Sequence, residues 1–114
     1  MSLIYKIHDG ASWALAEAAG LFTGAAIDHA DGYIHFSTGG QARETAAKHF
    51  AGQQGLVLAA VDVAALGADL RWEPSRGGAL FPHLYAPLPM SAVRWVAPLP
   101  LGPDGAHVFA QDVI

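Results

Sequence analysis

The chain has 114 residues, of which 53% are hydrophobic and only 14% charged. That much apolar material excludes a disordered chain and suffices for one packed domain spanning residues 1–114. Ten acidic against six basic residues leave a net charge of −4, too little basic charge to follow a phosphate backbone, so no nucleic-acid partner is expected.

The chain has no cysteine. Disulfides, thiolate nucleophiles and cysteine zinc sites are therefore out of reach, and the composition agrees with a reducing cytoplasm, the expected location. Met1-Ser2-Leu3-Ile4-Tyr5-Lys6 lacks the charged region and long apolar run of a signal peptide. The longest apolar stretch, Leu56 to Leu66, is interrupted by Asp62 and falls short of the roughly 18 residues a membrane helix needs. No membrane association is expected.

The predicted elements run as follows. Leu3 to His8 alternates as a strand, with Leu3, Tyr5 and Ile7 on one face and Ile4, Lys6 and His8 on the other. Asp9-Gly10 breaks it, and the Ala-rich stretch Trp13 to Ala19 reads as a helix ending near Gly20. Thr23 to Gly32 reads as an irregular loop. Tyr33 to Ser37 is a short strand with Ile34 and Phe36 on one side and Tyr33, His35 and Ser37 on the other. Thr38-Gly39-Gly40-Gln41 has the spacing of a capping box, opening a helix that runs to about Phe50 with a stripe of Ala42, Thr45, Ala46 and His49. Leu56 to Val61 is apolar on both faces, which predicts a buried central strand. Leu70 to Glu73, Leu80 to Tyr85 and Ala92 to Val96 are further strands, the last two joined by a Pro87-Leu88-Pro89 turn. Gly105 to Phe109 is a last edge strand. The second half has no crossover helices, so the pattern predicts an α+β fold with a mostly antiparallel sheet and two helices.

Three segments carry the candidate chemistry. In Tyr33-Ile34-His35-Phe36-Ser37-Thr38, an imidazole and a hydroxyl share one strand face, just before Thr38 and a glycine-opened helix. Free N–H groups at a helix start favour an anion or polar ligand, although the capping box alone accounts for Thr38. In Leu70 to Gly78, Arg71, Glu73 and Arg76 stand close together in a chain poor in charge, and the guanidinium of Arg76 in its Gly-rich loop suits a carboxylate or phosphate. In Phe81-Pro82-His83-Leu84-Tyr85, alternation places Phe81, His83 and Tyr85 on one face, a strip that suits a flat ring. The histidines His8, His35 and His83 lack the close spacing of a metal motif, so no metal is expected, and His29, His49 and His107 read as loop or solvent residues.

Gly32-Tyr33-Ile34-His35-Phe36-Ser37-Thr38, Gln41, Phe50, Arg71-Trp72-Glu73 and Phe81-Pro82-His83-Leu84-Tyr85 together resemble the bacterial domain-of-unknown-function 952 family over essentially the whole chain. More remotely, the element order is similar to the ADP-ribosyltransferase fold. That likeness implies a split, mostly antiparallel sheet with a ligand cleft between its halves, and an NAD-like nucleotide as ligand. Ile4-Tyr5-Lys6 would stand for the first strand of those transferases, with Lys6 in place of a histidine. Leu80 to Tyr85 would stand for the late strand, with His83 in place of the glutamate that supports ribosyl transfer.

The sequence thus points to a small cytoplasmic protein whose cleft takes a nucleotide-like or other small anionic molecule, as a degenerate or divergent transferase-like domain. His35, Glu73 and His83 are the candidate catalytic residues. Lys6, Ser37, Thr38, Arg76 and Tyr85 are the candidate ligand contacts, with Tyr85 stacking on a ring and Arg76 or Lys6 holding a phosphate. The alternative is a non-catalytic homodimeric interaction protein, for which low charge and three tryptophans speak.

Overall fold

A computed structural model of the chain describes residues 2–110 and residue 113. Its architecture is α+β, with every strand pair among the described residues antiparallel. β1 (Leu3–Asp9) leads directly into α1 (Gly10–Ala19). The Asp9 carboxylate accepts the Ser12 N–H as the N-cap, so the helix starts three residues before Trp13. It ends at Gly20, whose φ of 80° is the left-handed conformation that suits glycine. β2 (Leu21–Phe22) and α2 (Ala26–Asp31) follow, then β3 (Ile34–His35), α3 (Gly39–His49), β4 (Leu56–Asp62), β5 (Leu70–Pro74), β6 (Leu80–Leu84), β7 (Leu88–Pro89) and β8 (Val93–Leu99).

β4 is the central strand of a three-stranded sheet, ordered β1-β4-β8. Its alternation feeds two cores. Ala59 and Val61 pack with Ile4, Trp13, Phe22 and Ala16 on the side of α1. Leu56, Leu58 and Ala60 pack with Tyr5, Ile7, Ala42 and Ala46 on the side of α3. The unbroken apolar run of β4 is therefore the signature of a strand covered on both faces.

A second sheet has the order β3-β6-β5, and a two-stranded ribbon joins β2 to β7. One junction ties the first two sheets. Phe36 N–H donates to the Pro82 carbonyl of the second sheet, and the next residue, Ser37, exchanges both backbone hydrogen bonds with Tyr5 of β1, at 2.7 and 2.9 Å. Only Ile34–His35 is regular strand, shorter than the predicted Tyr33 to Ser37, because the segment changes partner at Phe36. Past that point β1 and the second sheet part, and the opening between them is the cleft described below.

Four further expectations need correction. The predicted loop Thr23 to Gly32 contains α2, which makes three α-helices rather than two. Its N-cap is Ala25, which has no side-chain oxygen, so the usual sequence signal is missing. Asp28 reaches back to the Ala25 N–H instead, at 2.7 Å. The Pro87-Leu88-Pro89 turn is a strand pair: Leu88 and Pro89 lie opposite Phe22 and Leu21. The strand from Ala92 to Val96 starts at Val93 and extends to Leu99, carried by register with β4 out to Leu56. Gly105 to Phe109 is no strand; a single bridge between Leu101 and His107 closes a turn there.

Candidate functional site

β1 carries one charged side chain into the interior, and the interior is built to receive it. The Lys6 ammonium is 5% exposed. It donates to both Asp28 oxygens, at 3.0 and 3.1 Å, and to the His35 carbonyl at 2.9 Å. Asp28, on α2, also accepts the backbone N–H groups of Ala25 and His35 and the His35 ring Nδ1, the last at 2.6 Å. Burial opposes ionisation of Asp28, but the His35 hydrogen bond, the Lys6 charge and the two backbone donors outweigh it and hold the carboxyl well below the ordinary range. Burial likewise pushes the Lys6 ammonium down, with Asp28 offsetting part of the effect. Gly24 sits against this carboxylate: at a φ of 122°, a Cβ there would lie 2.9 Å from Asp28 Cβ.

The second histidine arrives through strand register. His35 of β3 and His83 of β6 are direct cross-strand partners, with ring centroids 5.5 Å apart. Tyr33 lays its ring against both, at 4.6 and 4.1 Å, and against Tyr85 at 5.2 Å. From β5, one oxygen of Glu73 accepts His83 Nδ1–H at 2.8 Å and the Tyr85 hydroxyl at 2.6 Å. The hydrogen bonds from Tyr85 and His83 hold the Glu73 carboxyl low, and the same bond to Glu73 raises the Tyr85 phenol. An ionised Glu73 fixes a proton of His83 on Nδ1, so in the neutral ring Nε2 is the acceptor. Arg71, two residues before Glu73 on the same strand face, lies 4.7 Å from the Tyr85 ring.

Of these groups, Lys6, His35 and His83 border a cleft of about 510 Å³ where β1 and the second sheet part. β1, β3, β6, α2 and α3 all contribute to its walls, including Lys6, Asp31, His35, Ser37, His49 and His83. A second hollow, of about 430 Å³, lies between α3 and the segment 104–109. It is mostly alanine and glycine. The guanidinium of Arg43, its basic side chain, is committed to the Phe109 ring and the Val113 carbonyl. No group of three or more His, Asp or Glu residues among the described residues is arranged to hold a metal ion. No helix among them is long and apolar enough to cross a membrane.

The structure brings together His35, Glu73, His83 and Tyr85 from the expected site residues. Three others, of which Lys6 and Ser37 also line the cleft, are already bonded within the protein. Lys6 is sealed in its ion pair with Asp28 rather than free at the cleft edge. The Ser37 hydroxyl is bonded to Thr45 at 2.7 Å. The Thr38 hydroxyl accepts the Gln41 N–H while the Gln41 side chain accepts the Thr38 N–H, the reciprocal capping box. The Arg76 side chain lies outside what the structure describes. Sequence reasoning missed Asp28, Asp31 and Tyr33. The available signal was a charged Lys6 in an otherwise apolar strand and two aspartates just upstream of His35, in a chain with few charges to spend.

Among curated proteins, none matches the chain. Among solved structures, the crystal structure of protein CC0527 from Caulobacter crescentus is similar with a TM-score of 0.90 and 57% identity, over 94% of each chain. A crystal structure of a double mutant of that protein gives 0.89 and 56%, again over 94% of each chain. Its solution structure gives 0.84 and 58%, over 93% of this chain and 91% of that one. The model of the family described as protein of unknown function DUF952 matches residues 7–96, a span that holds His35, His83 and their three carboxylate partners, and the chain belongs to the DUF952 family.

Proposed function

We propose that the cleft binds a nucleotide-like small molecule, and that the chain is a cytoplasmic, divergent ADP-ribosyltransferase-like domain. One observation carries the reading. Two histidines, opposed in register and each held by a carboxylate, wall a cleft of about 510 Å³ at the place where the sheets part. The element order supports the transferase likeness by analogy. The late strand has His83 where those enzymes have glutamate, yet Glu73 of the neighbouring strand stands 2.8 Å from that ring, so a carboxylate reaches the same corner by another route. Tyr85, which shares Glu73 with His83 and is 38% exposed, would stack on a base, and a neutral His83 would offer Nε2 as an acceptor to a ribose hydroxyl.

Calorimetry with ADP-ribose, NAD and AMP tests this. A dissociation constant tighter than about 1 mM is expected, and Tyr85→Ala should weaken it about tenfold through lost stacking. No binding of any of the three below the millimolar range would remove the reading.

A second reading has its own observation. β5 is the outer strand of its sheet among the described residues. On the face away from the cleft, Trp72 and Leu80 are 44% and 53% exposed and stand on neighbouring register pairs, Trp72 with Pro82 and Leu80 with Pro74. An open strand edge beside exposed apolar side chains favours pairing with a second copy of the chain. Sedimentation velocity would show a dimer that Trp72→Glu converts to monomer. A monomer at all concentrations would dismiss it.

A further inference from the structure

His35 makes a hydrogen bond from each ring nitrogen, and both partners are aspartates. Nδ1 meets Asp28 Oδ1 at 2.6 Å and Nε2 meets Asp31 Oδ2 at 2.9 Å. A carboxylate oxygen only accepts, so a ring that makes both bonds at once donates from both nitrogens. The two partners differ in kind. Asp28 is 1% exposed and anchored by five hydrogen bonds, including those from Lys6. Asp31 is 42% exposed, the last residue of the short helix α2, and lies in the wall of the cleft. One side of the ring is thus held by a buried, anchored carboxylate and the other by a partly exposed one.

Charge bookkeeping shows what that second contact does. With both ring nitrogens donating, Lys6 and His35 set two positive charges against the two carboxylates of Asp28 and Asp31. When Asp31 turns outward, the cluster keeps one uncompensated positive charge, with an N–H donor directed at the cleft. We propose that Asp31 occupies the seat of an anionic ligand group, a phosphate or carboxylate, which binds His35 Nε2–H by displacing it. His83, on the facing ring, gives Nδ1–H to Glu73, so its neutral form presents Nε2 as an acceptor. The cleft therefore suits a molecule with an anionic group and a hydroxyl a few ångströms apart, such as a phosphorylated sugar. This rests on the cleft being a ligand site but not on the ligand being a nucleotide.

The test titrates inorganic phosphate and, separately, ADP-ribose into the wild type, Asp31→Asn and Glu17→Gln, with His35 imidazole nitrogen shifts as the readout. Glu17 is exposed on α1 and lines neither cleft, so its change controls for net charge. Asp31→Asn loses both the competing ion pair and the like charge, so phosphate should bind about five- to tenfold tighter, with the largest shift at His35 Nε2. Glu17→Gln should match the wild type. Phosphate affinity equal in all three proteins, or a gain that leaves His35 Nε2 unmoved, overturns the proposal. If phosphate behaves as expected while ADP-ribose binds no better than phosphate, the seat stands and the nucleotide reading falls.

Discussion

Asp28 organises the cleft more than any other single residue. It neutralises Lys6, holds His35 and closes the first turn of α2, all with one buried carboxylate. Removing its charge leaves Lys6 buried without a counter-ion, so Asp28→Asn should destabilise the protein by about 3–5 kcal/mol in urea denaturation. The pH dependence follows from the direction of the shift. The Asp28 carboxyl is held below its ordinary value of 3.8, so its stabilisation is complete above that value and is lost as the pH falls through and below it. The wild type should therefore lose stability on acidification from about pH 5 downward, and Asp28→Asn should show a flatter profile. Equal acid slopes in the two proteins would mean that Asp28 is not the group responsible. For neutral His83, nitrogen-detected NMR should find the proton on Nδ1, as the Glu73 bond requires. The opposite tautomer would remove His83 as the acceptor in the cleft.

At the scale of elements, the sequence showed clearly those parts whose signals are local. The Thr38–Gln41 capping box was legible because its two partners are three residues apart, and the structure forms both bonds. Thr38→Ala should cost about 1 kcal/mol in thermal or chemical unfolding, with Thr38→Ser close to neutral. A loss near zero would show that the cap contributes nothing to α3. The alternation of β1 and β6 was legible for the same reason, as was the unbroken apolar run of β4, and with β6 came the shared face of Phe81, His83 and Tyr85. What was not legible depends on distant partners. α2 is six residues long, lacks a capping side chain, and is fixed by Lys6, 22 residues from Asp28. β7 is two residues that pair with β2, far away in the chain. No local pattern encodes either. His35 and His83 were each recognised as candidates, but their pairing is a matter of register between strands 48 positions apart.

For the whole molecule, the cleft follows from how the sheets part. β1 pairs with β4 along its full length on one side but with Ser37 alone on the other, so the first sheet is continuous and the second diverges from it. The divergence opens a cleft, and α2 and α3 close its ends with Asp31 and His49. The α+β class was foreseeable from a second half rich in strands. That the cleft would hold two carboxylate-supported imidazoles was not, because Asp28 and Asp31 fall in a segment with no strand or helix pattern of its own. The central claim is that this cleft, and not the alanine-lined hollow behind α3, receives a nucleotide-like ligand. A crystal structure of the wild-type protein soaked with ADP-ribose tests it most directly. The expected result is density between β1 and β6, with a hydroxyl on His83 Nε2 and the base against Tyr85. Density confined to the hollow lined by Arg43 and Phe109, or none at millimolar ADP-ribose, would contradict the account.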